Sequence, residues 1–234
     1  ICAISFALYP FVKDDYALLR TAVSFGEGYG PKLIKKIGTK LKRNFKVALS
    51  GEFTTNALLF KIAYPEARIS YMNFLEIEEA VLNGTVDAGV LIHESILNYN
   101  EKLEVEKEIW DIWVELSGGG LPLPLGGMCL RRSIPLHSAI DYENTLIKAV
   151  EIANKNRHVL APMLIEKGLI RVDAATLDKY LDLYANDNSV KMSDIQYEAL
   201  DKLYELGYKN GFYENLIKSK EFLIPSEYEE LRAR

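Results

Sequence analysis

The chain is poor in cysteine. Cys2 and Cys129 are all it has, too few for the disulfide framework of a small secreted domain. They are expected to be two buried apolar thiols in a reducing cytosol, which sets the expected location as cytoplasmic. No apolar run reaches the roughly 18–20 residues that a membrane helix needs, so no membrane partner is expected. Positive charge is not in excess: 28 lysines and arginines stand against 33 acidic residues, a net charge of −5. That removes an overall electrostatic case for nucleic acid. There is no His-x-x-x-His, no Cys-x-x-Cys and no cluster of aspartates, so no metal site is expected. The glycine-rich GEGYGP (Gly26–Pro31) lacks the Gly-Lys-Ser/Thr of a phosphate loop and does not fit Gly-x-Gly-x-x-Gly. Internal repeats and low-complexity tracts are also missing. The opening ICAISFALYPFV has no initiator Met or polar lead-in and enters at full hydrophobicity. A segment ahead of Ile1 is therefore expected.

What is present is ordinary for a globular protein. The 234 residues are 49% hydrophobic and 26% charged, enough for one large domain or two small ones. Ile1–Ser5 reads as a strand. Pro31–Lys46 is strongly basic and reads as a solvated helix and loop, with Leu33, Ile34 and Ile37 as its apolar side. Phe45–Leu49 reads as a strand, and Thr54–Thr55 open a helical pattern closed by Pro65. Arg68–Met72 is strand-like, Phe74–Asn83 is an amphipathic helix stopped by Gly84, and Val86–Ile92 is a buried strand. The stretch Lys46–Glu94 is thus β-α-β-α-β, which favours a parallel or mixed sheet with helices on its faces. Pro122–Gly127 is too rich in proline for a central strand and suits an extended crossover. Asp141–Lys155, Asp173–Tyr184 and Ser193–Leu206 read as helices, the last capped by Ser193 and ended by Gly207. Phe212–Arg234 reads as mixed helix and loop.

In sheets of this type ligands sit at the carboxyl ends of strands. Ser50, Thr54, Thr55 and His93 all map there. Of the three histidines, only His93 ends a buried strand. From the residues alone, a structural histidine and a catalytic one are both open. His137 and His158 read as surface residues. Glu94 would point to the opposite side of an extended strand from His93, against a joint metal site. The segment SGEFTT (Ser50–Thr55) places hydroxyls at a helix N-terminus, where free N–H groups and the helix dipole favour a carboxylate or phosphate. Plain N-capping by threonine explains the same residues.

Taken together, AIS (Ala3–Ser5), GEGYGP, SGEFTTNALL (Ser50–Leu59), GTVDAGVLIHE (Gly84–Glu94) and GLPLPLGG (Gly120–Gly127) resemble the 1,4-dihydroxy-6-naphthoate synthase family of the futalosine route to menaquinone. The likeness covers nearly the whole chain and is weakest after about Tyr208. It implies an α/β, bilobal fold like that of type II periplasmic binding proteins, with two crossovers and a ligand cleft between lobes. One lobe would be residues 1–48 with 129–234, the other residues 49–128. The segment ahead of Ile1 would give the first of these a strand and a loop on the cleft.

The resemblance also implies a lyase that converts cyclic dehypoxanthinyl futalosine to 1,4-dihydroxy-6-naphthoate without a cofactor. His93, in LIHE, would be the general base. Ser5, Gly51, Thr54 and Thr55 would bind a small molecule bearing a carboxylate and sugar-derived hydroxyls. GEGYGP and PLPLGG would be architectural, and Glu94 structural. Rival readings are chorismate dehydratase of the same pathway, a non-catalytic solute-binding protein of the same fold, and a homologue that has lost activity. The 14 tyrosines and 9 phenylalanines are compatible with a homodimer contact.

Overall fold

The computed structural model describes residues 1–169, 172–184 and 186–225. The chain divides into two compact units, Ile1–Phe25 with Pro124–Arg234, and Gly26–Leu123. The boundary expected at residues 48/49 therefore moves to 25/26, and that expected at 128/129 moves to 123/124.

The first unit opens with strand β1 (Cys2–Ser5), a short helix α1 (Tyr9–Val12) and strand β2 (Tyr16–Leu18). Strand β3 (Ser24–Gly26) carries the chain into the second unit. GEGYGP follows, and Gly28 adopts φ +78°, a left-handed turn that a side chain would strain.

The second unit is built on strands β4 (Lys32–Lys36), β5 (Lys46–Leu49), β6 (Arg68–Tyr71), β7 (Ala88–Leu91) and β8 (Leu103–Glu108). Helices α2 (Thr55–Ala63), α3 (Ile77–Leu82) and α4 (Ile109–Ser117) connect or follow them. Strand order is β6-β5-β7-β4-β8. β5 runs parallel to β6 and β7, whereas β4 is antiparallel to β7 and β8. The expected β-α-β-α-β unit is present.

The expected helix over the basic stretch is not. Lys32–Lys36 is an interior strand, and it is what moves the unit boundary. Leu33 and Ile34 are adjacent yet both fully buried. A register shift against β8 falls between them, which relaxes the strict in-out alternation of a strand. The lysines that suggested a solvated helix keep their charge at the surface. Lys35 meets Glu106 at 2.5 Å and Glu104 at 3.6 Å.

The core of this unit is Val47, Ala48 and Leu49 on β5, Leu59 and Phe60 on α2, Ile77 on α3, and Ala88 and Val90 on β7. Phe60 stacks on Tyr64 at 4.9 Å. Trp113 on α4 is buried, and its Nε1 donates to Leu121 O at 2.8 Å.

The chain returns through strand β9 (Leu123–Arg131), which pairs antiparallel with β1 and β2 and also pairs with β3. The segment expected to be an extended crossover and no central strand is therefore part of the hub of the four-stranded sheet. Pro124 is accommodated because the ladder with β1 starts at Gly126, opposite Ser5. Cys2 lies opposite Cys129 in that ladder, and their sulfurs are 3.2 Å apart as free thiols. Cys129 is buried as expected, but Cys2 is exposed.

Helices α5 (Leu136–Lys155), α6 (Arg157–Glu166), α7 (Ala174–Tyr184) and α8 (Asp194–Lys209) complete the unit. α5 starts five residues earlier than expected, and His137 and His158 fall on α5 and α6. Ser193 caps α8 in a reciprocal capping box with Gln196. Gly207 does not end α8 but lies inside it, since an added methyl would overlap the Tyr213 ring packed there. The Tyr213 hydroxyl donates to Ala7 O at 2.9 Å. Buried Glu143 accepts from Arg20 N at 2.9 Å and ties α5 to the residues after β2. The expectation of helix and loop over the last stretch lies outside the described residues from 226 onward. Among the described residues, no helix is long and apolar enough to cross a membrane.

Candidate active site

The second unit gathers the predicted residues at one sheet edge. β5, β6 and β7 are parallel neighbours, with Ala48 opposite Gly89 and Ser70. Their carboxyl ends must then emerge together. Ser50–Thr54 leave β5, Met72–Phe74 leave β6, and Ile92–His93 leave β7.

At the first exit the loop folds on itself. Thr54 Oγ1 donates to Gly51 O at 2.8 Å and accepts from Ala57 N at 3.3 Å. Thr54 is thus the N-cap of α2, and its hydroxyl is committed to the turn. Thr55, at the first position of the helix, is 2% exposed. Gly51 leaves its face of the loop open apart from Thr54 Cγ2. The first turn of α2 points its dipole at this edge, which favours an anion. Two further polar groups lie here, Ser50, which the sequence already places at the strand end, and Asn56, which it does not single out. Ser50 Oγ and Asn56 Nδ2 are buried without a protein hydrogen-bond partner. Hydrogen-bonding potential is a property of the folded loop, and no local pattern in SGEFTTN announces it.

At the third exit, Ile92 is the last extended residue, and His93 opens a 3-10 turn through Ile96 with φ +54°. Left-handed backbone is costly for a residue bearing a Cβ and marks a position held by its surroundings. Because the strand has already ended, Glu94 does not alternate across a sheet as the extended reading required. It lies in the same turn. His93 is open to solvent, yet neighbours crowd the ring. The Phe74 ring stands edge-on at 5.1 Å between centroids and 71° between planes. Partial desolvation lowers the His93 pKa, and the Glu94 carboxylate opposes that shift. The net shift favours the neutral imidazole.

Gly51, Thr54, Thr55 and His93 belong to this unit. Ser5 belongs to the other, where it ends β1, is half-buried and donates to Leu125 O at 3.3 Å. Among the described residues no group of three or more potential metal ligands forms.

Known proteins resemble the chain along most of its length. A family described as menaquinone biosynthesis matches residues 1–209. A 1,4-dihydroxy-6-naphthoate synthase of Streptomyces coelicolor is 30% identical over 207 residues, covering 86% of this chain and 72% of that one. One from Thermus thermophilus is 31% identical over 134 residues, 56% of this chain and 48% of its own length, so the match spans about half of that relative. A solved structure of an Archaeoglobus fulgidus protein aligns with TM-score 0.78 and 30% identity over 89% of this chain and 78% of that one. The periplasmic aliphatic sulphonate binding protein SsuA of Escherichia coli aligns with TM-score 0.63 at 12% identity over 95% of this chain and 78% of that one. The fold is that of a periplasmic binding protein, and the chain belongs to the menaquinone-biosynthesis family that includes the 1,4-dihydroxy-6-naphthoate synthases.

Proposed function

We propose that the chain is a lyase that turns cyclic dehypoxanthinyl futalosine into 1,4-dihydroxy-6-naphthoate, with His93 as general base. The observation that carries the reading is the position of His93. It follows β7, whose carboxyl end emerges with those of the parallel strands β5 and β6, and its pKa is lowered by desolvation. A neutral imidazole can take a proton from the substrate, which starts the fragmentation. A carbon–carbon bond then breaks and the sugar-derived fragment leaves. The Gly51 loop and the α2 N-terminus would receive the substrate carboxylate. Thr54 would keep that loop in shape, and Thr55 would meet sugar-derived hydroxyls. Free thiols at both cysteines support work in a reducing cytoplasm.

The test is turnover of that substrate by the full-length protein beside a His93→Asn variant, since asparagine tolerates φ above zero. Product from the wild type and a loss of at least about 100-fold in the variant are expected, because general-base catalysis contributes roughly 10²–10⁴-fold. A folded wild type that releases no naphthoate would sink the lyase assignment and favour chorismate dehydratase, assayed in parallel, or a binding protein. Full activity in His93→Asn would remove His93 as the base.

A further inference from the structure

We propose that Phe74 is a positioning residue, holding the His93 imidazole at the carboxyl edge through an edge-to-face ring contact. The inference rests on the reading of His93 as base, but its mechanical part can be tested apart from catalysis. Phe74 is a helix-start residue by sequence pattern, with no polar atom to draw attention to it. In the structure its backbone is pinned on both sides. Met72 N donates to Leu49 O at 3.0 Å, at the end of β5. Asn73 then starts a 3-10 turn, with its Oδ1 accepting from Leu75 N at 3.1 Å and its carbonyl from Glu76 N at 2.9 Å. The turn runs directly into α3. Phe74 is therefore a fixed wall, and the ring 5.1 Å away at 71° is His93.

His93 needs such a wall. It follows a strand in a left-handed conformation that its own chain does not favour, and it is exposed to solvent. An aromatic edge set against a ring face is attractive through the ring quadrupole. It limits rotation of the imidazole without donating or accepting a proton. It also excludes water from one side of the ring. Glu94 is the charged group that acts on His93, and it acts in the opposite sense. Removing the phenyl ring should therefore let the imidazole pKa rise toward its ordinary value near 6.5. The neutral fraction at pH 6 would fall, and the acid limb of the kcat/KM profile would move to higher pH.

The experiment compares Phe74→Leu, which keeps apolar bulk, with Phe74→Tyr, which keeps the ring, in the full-length protein. The His93 imidazole is followed by NMR across pH, assigned by the signal that His93→Asn removes. In Phe74→Leu we expect an upward shift in the His93 midpoint and a loss of roughly 10–100-fold in kcat, as for a misplaced catalytic group, with KM within about two-fold. Phe74→Tyr should behave like wild type. An unchanged His93 midpoint and unchanged kcat in a folded Phe74→Leu would overturn the proposal. So would equal losses in the leucine and tyrosine variants. If His93→Asn stays active while Phe74→Leu still moves the imidazole titration, the base reading falls and the positioning contact stands.

Discussion

Gly89 lies in β7, four residues before His93, at a point where the strand passes against α3. A methyl added there would overlap Ile77 Cγ2 and stand 3.1 Å from Val81 Cγ2, whereas carbon atoms pack at about 3.5–4.0 Å. Ile77 is fully buried and cannot swing out. Gly89→Ala must then push α3 away or bend β7, and overpacking of this kind costs about 1–3 kcal/mol. For a chain of this length each kcal/mol lowers the melting temperature by roughly 2–4 °C, so a fall of about 2–12 °C is expected. Calorimetry or circular dichroism would measure it. The displacement also has a functional reading, because Phe74 leads into α3 and His93 leaves β7. Activity should fall more than stability at assay temperature requires. Ile77→Leu removes the offending Cγ2 at equal volume and should recover part of both losses. Non-additivity of about 0.5–3 kcal/mol in the double-mutant cycle would identify the clash as the cause. A Gly89→Ala protein that melts with wild type would refute the close-packing argument.

Further measurements address the cap and the cysteine. Thr54→Ala removes the acceptor for Ala57 N and the donor to Gly51 O, and should cost about 1 kcal/mol of stability, with Thr54→Ser close to wild type. Equal melting of the alanine and wild-type proteins would show that the cap is not formed. The Cys129 thiol is pushed up to about 12, chiefly by burial and then by its contact with Cys2. Only thiolate reacts with an alkylating agent, so at pH 8 Cys129 should be labelled by iodoacetamide at least about 100-fold more slowly in the folded chain than in urea. Similar rates by peptide mass spectrometry would contradict the buried placement.

The sequence and the structure agree where a local rule and the tertiary environment act together. Thr54 is where a helix needs a cap. Val86–Ile92 is apolar enough to be a buried strand, and its carboxyl end delivers His93. They part company where pairing decides. Nothing in KLIKK distinguishes an interior strand from the side of a helix, because both bury two apolar residues among lysines. What settles it is the presence of β7 and β8 on either side. The prolines of LPLPLGG argue against a central strand, but the ladder with β1 starts beyond them. Gly207 carries a stop signal in isolation and is kept in mid-helix by the Tyr213 ring. Within the candidate site, the residue types and the strand end were legible. The turn at His93 and the unpartnered side chains of Ser50 and Asn56 were not, since backbone angle and hydrogen-bond state belong to the folded loops, and the Phe74 contact was not, since it joins segments distant in sequence.

The placement of β9 bears on how the chain is made. Gly26–Leu123 is one uninterrupted stretch, so a ribosome completes the whole five-stranded sheet before Pro124 and the residues after it exist. β1 and β2 are synthesised before that sheet yet must wait for β9, and Cys2 meets a partner 127 positions later. During that interval they present open edges, the feature most prone to wrong pairing. The hub strand therefore makes vectorial synthesis an ordered assembly, with the His93 edge folded early and the Ser5 strand secured late. Slow passage through the Gly120–Arg131 codons would prolong the exposed interval without altering the finished molecule.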